Sequence, residues 1–104
     1  MSFKILPEAE RDELRAASWY DRHNPGKGDD FLDAVAGCYR AIQQMPSVFP
    51  RIVPPRLKGD FRFNAIKRFE YTIFFQVKNG DIIIISISHH RRRPFYWVRR
   101  LKRR

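Results

Sequence analysis

Two runs of apolar residues, Tyr71 to Lys78 (YTIFFQVK) and Asp81 to His89 (DIIIISISH), are separated only by Asn79-Gly80. Asn-Gly tolerates the positive φ angles of a two-residue type I′ turn, so the pattern predicts a β-hairpin. The turn sets the register: Val77 opposite Ile82, Phe75 opposite Ile84 and Tyr71 opposite Ser88. Strict alternation from there puts Tyr71, Ile73, Phe75, Val77, Ile82, Ile84, Ser86, Ser88 and His90 on one face. Thr72, Phe74, Gln76, Ile83, Ile85, Ile87 and His89 fall on the other. A third strand is predicted upstream, where Phe61, Phe63 and Ala65 alternate with Arg62 and Asn64. A short first strand is predicted where Phe3 and Ile5 flank Lys4.

Between the first strand and the hairpin the period changes. Pro7 stands where a helix favours its first residue, and Glu8, Glu10, Asp12 and Glu13 suit the positive end of a helix dipole. This predicts a helix to about His23, with Ala9, Ala16, Ala17 and Tyr20 inward. His23-Asn-Pro-Gly-Lys-Gly28 reads as a turn. Asp29 or Asp30 then caps a second helix, whose Phe31, Ala34, Val35, Cys38, Ile42 and Met45 share a face, and Pro46 ends it. Positions 46–59 hold four prolines and read as irregular.

The elements describe one α+β domain over residues 1–104, in the order β-α-α-β-β-β. A twisted, mostly antiparallel four-stranded sheet is expected, with an αα-hairpin on one face. Both faces of the hairpin are apolar, yet two adjacent helices pack as a unit on one side only. The other face needs a cover, either the chain's own tail, 94–104, or a partner laid over Phe74, Ile83, Ile85 and Ile87. Left bare, those residues form a patch too large for a solitary soluble protein.

Charge sharpens the second possibility. Residues 1–60 carry nine Lys/Arg against nine Asp/Glu, which cancel, and residues 61–104 carry twelve against two, leaving the whole-chain value of +10. The chain ends HHRRRPFYWVRRLKRR, a composition that faces something anionic. No apolar run approaches the roughly 20 residues of a membrane helix. The first residues turn acidic too soon for a signal peptide. The one cysteine, Cys38, excludes an internal disulfide and suits a reducing cytoplasm. No metal site or cofactor is expected: His89 and His90 are strand neighbours pointing to opposite faces, and no ligand spacing or phosphate loop is present.

The chemistry therefore concentrates in the basic, aromatic end. Arg91, Arg92, Arg93, Arg99 and Arg100 offer planar forks to phosphate oxygens, and Trp97 offers a stacking surface. Were the task RNA cleavage, His89 or His90 and Tyr96 would move protons, while Arg62, Arg68 and Arg92 held the charge developing on phosphorus.

This arrangement resembles the RelE/ParE superfamily of bacterial toxins. The likeness rests on Arg62 in the first strand of the sheet, YTIFFQV in the next, DIIIISISH after the turn, and HHRRRPFYW at 89–97. The last is similar to an H-x-R-R-x-P-x-Y-W signature of one branch. The resemblance implies a cytoplasmic toxin with a cognate acidic antitoxin that wraps its C-terminal segment over sheet and basic surface. It implies one of two targets, DNA gyrase or the ribosome with its mRNA. Two departures bear on the choice. Nuclease members carry an arginine within the middle strand where this chain has Thr72, and the residue after the paired arginines, usually acidic, is Arg93. The first favours a ParE-like poison that binds gyrase over a RelE-like ribosome-dependent mRNA endonuclease. The second favours anion binding of some kind. A non-toxic basic nucleic-acid-binding module is the third expectation.

Overall fold

The computed structural model describes residues 2–102; Met1 and the last two tail arginines, Arg103 and Arg104, lie outside the described residues. The chain runs through β1 (Phe3–Ile5), α1 (Pro7–His23), α2 (Lys27–Gln44), a 3-10 turn (Pro46–Val48), β2 (Arg51–Ile52), β3 (Asp60–Ala65), β4 (Tyr71–Lys78), β5 (Asp81–His89) and α3 (Val98–Lys102). The α+β class and the αα-hairpin match expectation. The sheet has five strands rather than four, in the order β1-β5-β4-β3-β2. The additional strand is the two-residue β2, from the proline-rich stretch, which pairs Arg51 with Arg62 and Ile52 with Phe61. β1 lies parallel to β5, with Phe3 opposite Ile82 and Ile5 opposite Ile84, and the other pairs are antiparallel.

The β4–β5 turn forms as its residues dictate, with φ of 53° at Asn79 and 81° at Gly80. Val77 meets Ile82 and Phe75 meets Ile84 as expected, but a β-bulge follows between Phe74 and Phe75. Phe74 is opposite Ser86, Ile73 opposite Ile87 and Tyr71 opposite His89 instead of Ser88. One extra residue thus reverses the facing of everything beyond it. Ile87 turns under the helices and is 2% exposed. Ser86 and Ser88 turn to the opposite side, with Thr72 and Phe74.

Two cores result. The larger lies between helices and sheet and contains Ala9, Ala16, Phe31, Val35, Ile73, Phe75, Ile82, Ile84 and Ile87. Gly28 lies inside α2, which starts at Lys27, two residues before the expected cap. A Cβ there would stand 2.5 Å from the Ala17 carbonyl oxygen, so only glycine lets the helices approach this closely. Asp21 of α1 accepts the Gly28 N–H at 2.7 Å and fixes the crossing.

The second core, on the far face of the sheet, contains Phe61, Ile85, Trp97 and Val98. Its cover is the chain's own tail. Trp97 is 1% exposed, with its ring centroid 5.3 Å from that of Phe74 and 6.2 Å from that of Phe61. Burying an aromatic side chain of this size stabilises by about 3 kcal/mol, enough to hold a short tail down.

Candidate functional site

The bulge and the tail together build the basic end of the molecule. β1 covers the outer edge of β5 only as far as Ile84, whose carbonyl accepts the Leu6 N–H at 3.0 Å. Past that point the chain has turned into α1, and the edge of β5 needs other partners. Asp12 of α1 accepts the Ile87 N–H at 3.1 Å, and Arg100 of α3 donates to the Ile85 carbonyl at 2.9 Å. Arg100 also forks onto Asp12, with nitrogens 2.7 and 3.0 Å from its two carboxylate oxygens. Desolvation works against the charge on Arg100, but the hydrogen bond and attraction from Asp12 prevail and its pKa lies above the usual arginine value. The Tyr96 hydroxyl is 3.1 Å from Ser86 Oγ and 3.2 Å from Ser88 Oγ, which pins the tail to the turned half of β5.

Several expected site residues are thereby assigned to structure. Trp97 and Arg100, expected to bind anion or target, are buried and ion-paired respectively. Ile85 is fully buried beneath the tail and Ile87 faces the helices, so neither offers the antitoxin a surface. Phe74 and Ile83 are half-buried against the tail. Alternation alone could not show this, because the bulge sits in a run of four isoleucines without period.

The nuclease set divides: His89, His90, Arg92 and Tyr96 border one cleft, and Arg62 and Arg68 stand apart from it. Arg62 lies on the helix side of β3. Its Nε donates to Asp60 at 2.8 Å, and Nη1 donates to the carbonyls of Ser47 and Phe49 at 3.0 and 2.7 Å. It fastens the loop that leads from α2 to the sheet. The Asp60-Phe-Arg62 spacing, two residues apart on one strand face, is the signal of that pair. Arg68 lines a separate groove beside Cys38 and Phe49. His89 is occupied on both ring nitrogens: Nδ1 accepts the Arg91 N–H at 3.0 Å and Nε2 lies 3.3 Å from Glu70. A backbone N–H can only donate, so the His89 proton is on Nε2 and the Nδ1 lone pair is already engaged.

What remains is a cleft of about 300 Å³ bordered by Thr72, His90, Arg92, Arg93, Phe95 and Tyr96. His90 Nε2 is 3.1 Å from Thr72 Oγ1, and the Arg92 guanidinium lies 3.8 Å over the Tyr96 ring. Arg91, Arg92, Arg93 and Arg99 are exposed. None of them pairs with a carboxylate among the described residues. The cleft can hold an anion; it presents one exposed imidazole, His90, beside His89, whose ring nitrogens are taken by the Arg91 N–H and Glu70. No cluster among the described residues could hold a metal ion. Among the described residues no helix is long and apolar enough to cross a membrane.

The sequence model described as "ParE toxin of type II toxin-antitoxin system, parDE" matches residues 3–94. The chain belongs to the ParE toxin family. A solved structure titled "Chromosomal ParDE TA system from P. aeruginosa" shares its fold, with a TM-score of 0.71 at 22% identity over 86% of this chain and 95% of that one. The curated proteins give no match. The ParE match stops at Pro94, so the tail that roofs the second core lies beyond it. Membership favours a toxin over the third expectation, a non-toxic module, and leaves the mode of action to be argued from the site.

Proposed function

We propose that this ParE-family chain is the growth-inhibiting half of a toxin–antitoxin pair, that it acts by occupying a target such as DNA gyrase, and that an acidic antitoxin restrains it. The observation that carries the reading is the dispersal of the nuclease residues. Arg62 and Arg68 stand apart from the cleft, His89 has no free lone pair, and Thr72 fills the position where a strand arginine would meet the phosphorus. General acid–base cleavage needs donor, acceptor and cation around one reacting atom. Binding needs only an exposed, unpaired surface, and Arg91, Arg92 and Arg93 supply one of matching sign for an acidic antitoxin.

RelE-like cleavage of ribosome-bound mRNA is the second reading, favoured by one observation: His89, His90, Arg92 and Tyr96 border a single cleft. Inducing the toxin alone and following DNA supercoiling beside protein synthesis separates the two. Loss of gyrase supercoiling with intact messages is expected. Prompt arrest of translation with cut messages would overturn the binding reading.

A further inference from the structure

α1 carries five carboxylates, Glu8, Glu10, Asp12, Glu13 and Asp21, against three arginines, Arg11, Arg15 and Arg22, but the fold engages several of the acids. Asp12 is taken by Arg100, Glu13 accepts the Tyr39 hydroxyl at 3.1 Å, and Asp21 accepts the Gly28 N–H. The helix's Arg15 and Arg22 are exposed. Arg15 and Arg22, with Trp19 between them, follow helical spacing along one face. They border a second cleft, of about 280 Å³, whose far wall is Tyr71, Tyr96 and Arg92. Neither Arg15 nor Arg22 pairs with a carboxylate among the described residues. Arg22 donates to the uncharged Ser18 hydroxyl at 3.1 Å. Asp12 also borders the cleft, but both its oxygens are engaged by Arg100. His89 borders it as well and faces Glu70.

Trp19 is 46% exposed although the chain buries its other tryptophan. Its ring lies flat on His23, centroids 3.9 Å apart, and the His23 Nδ1–H donates to the Trp19 carbonyl at 2.8 Å. The exposed indole is thus held in one orientation by its own helix. A fixed aromatic surface between unpaired guanidinium groups suits a ligand that carries a flat ring and phosphate together. An acidic peptide would use the arginines and leave the indole idle.

We propose that the cleft between α1 and the tail binds a nucleotide unit of single-stranded nucleic acid, its base against Trp19 and its phosphate between Arg15, Arg22 and Arg92. The volume is at the lower end for small-molecule sites and limits occupancy to about one nucleotide. The inference goes beyond the toxin reading: it shares Arg92 and Tyr96 with the first cleft but turns on Arg15, Trp19 and Arg22, which that cleft does not contain.

The test is fluorescence titration of the full chain with a short single-stranded oligonucleotide, using a polyglutamate of equal length as comparison. Trp97 is buried, so quenching reports Trp19. The Trp19 variants lack that signal, so their binding is read from the anisotropy of a dye-labelled oligonucleotide: it should weaken about tenfold or more in Trp19→Ala and be retained in Trp19→Phe. Replacing Arg15 and Arg22 together by alanine should lower the slope of log K against log salt by about 1.4, whereas Arg40→Ala with Lys67→Ala should leave the quenching intact. The proposal is overturned if Trp19→Ala binds as wild type, if the Arg40 and Lys67 pair matters equally, or if polyglutamate binds and quenches as well as the oligonucleotide. A wild-type chain that fails to bind the oligonucleotide yet still inhibits growth would refute the cleft alone, since the binding variants at Arg15, Trp19 and Arg22 are not those by which toxicity is tested.

Discussion

Arg100 and Asp12, 88 positions apart in the chain, meet through two parallel hydrogen bonds at 2.7 and 3.0 Å. Their side chains are 14% and 10% exposed. The pair joins α1, the bulged edge of β5 and the tail. Breaking one partner of such a pair leaves a desolvated charge, so Arg100→Ala should cost about 3 kcal/mol. Replacing both, with Arg100→Met and Asp12→Leu, should recover part of that loss, although the Ile87 N–H then goes without its acceptor. Urea midpoints of wild type, of each single variant and of the double variant check the ordering, and a double-variant loss equal to the sum of the two single losses would show that the charges are not coupled.

Trp97 holds the roof of the second core. Trp97→Ala should destabilise by about 3–5 kcal/mol and expose Phe74, Ile83 and Ile85. A rise in binding of a hydrophobic dye at concentrations of urea that wild type withstands is the expected sign. If the dye ignores the variant, the tail is anchored by Arg100 and Tyr96 without the indole.

Arg91 and Arg92 project from the turn after β5 with no carboxylate partner. Replacing both by alanine should abolish growth inhibition on induction and shift the melting temperature by no more than a degree or two, as surface changes away from buried partners do. A folded double variant that still inhibits growth removes this strip from the mechanism.

Acid sensitivity should trace in part to Asp81. The Ser2 backbone N–H donates to its carboxylate at 2.8 Å, and that hydrogen bond holds its pKa below the usual aspartate value. A lowered folded pKa contributes stability that is present above the unfolded value and lost as pH falls through the folded one. Wild type should therefore exceed Asp81→Asn in thermal stability near neutrality, and the two should converge in strong acid. Parallel curves from pH 7 to pH 3 would contradict this.

The parts of the fold readable from sequence were those set by near neighbours. Asn79-Gly80 fixed the turn, and the first pairs beyond it followed. Pro7 and Pro46 bounded the helices to within a residue or two. The facing of Ile87, Ser88, His89 and His90 was not readable, because four consecutive isoleucines satisfy either face and conceal where a residue is added. The Asp12–Arg100 fork was invisible for a different reason: pairs so distant leave no local spacing. At the candidate site the cationic turn was evident from composition, while the cleft on α1 was hidden by averaging. A helix with more acids than arginines looked acidic until the fold engaged Asp12, Glu13 and Asp21. Arg15, Trp19 and Arg22 nonetheless shared a helical face in the sequence, and that spacing was the available clue.

Ile82 to Ile85 hold one isoleucine more than the β4 ladder requires. A chain with three there would pair straight through, and Ile87, Ser88, His89 and His90 would each keep the side they now occupy. What would vanish is the outward-turned carbonyl that Arg100 grips. The surplus residue is therefore a latch point, and shortening the strand by one would loosen the tail while leaving the sheet in register.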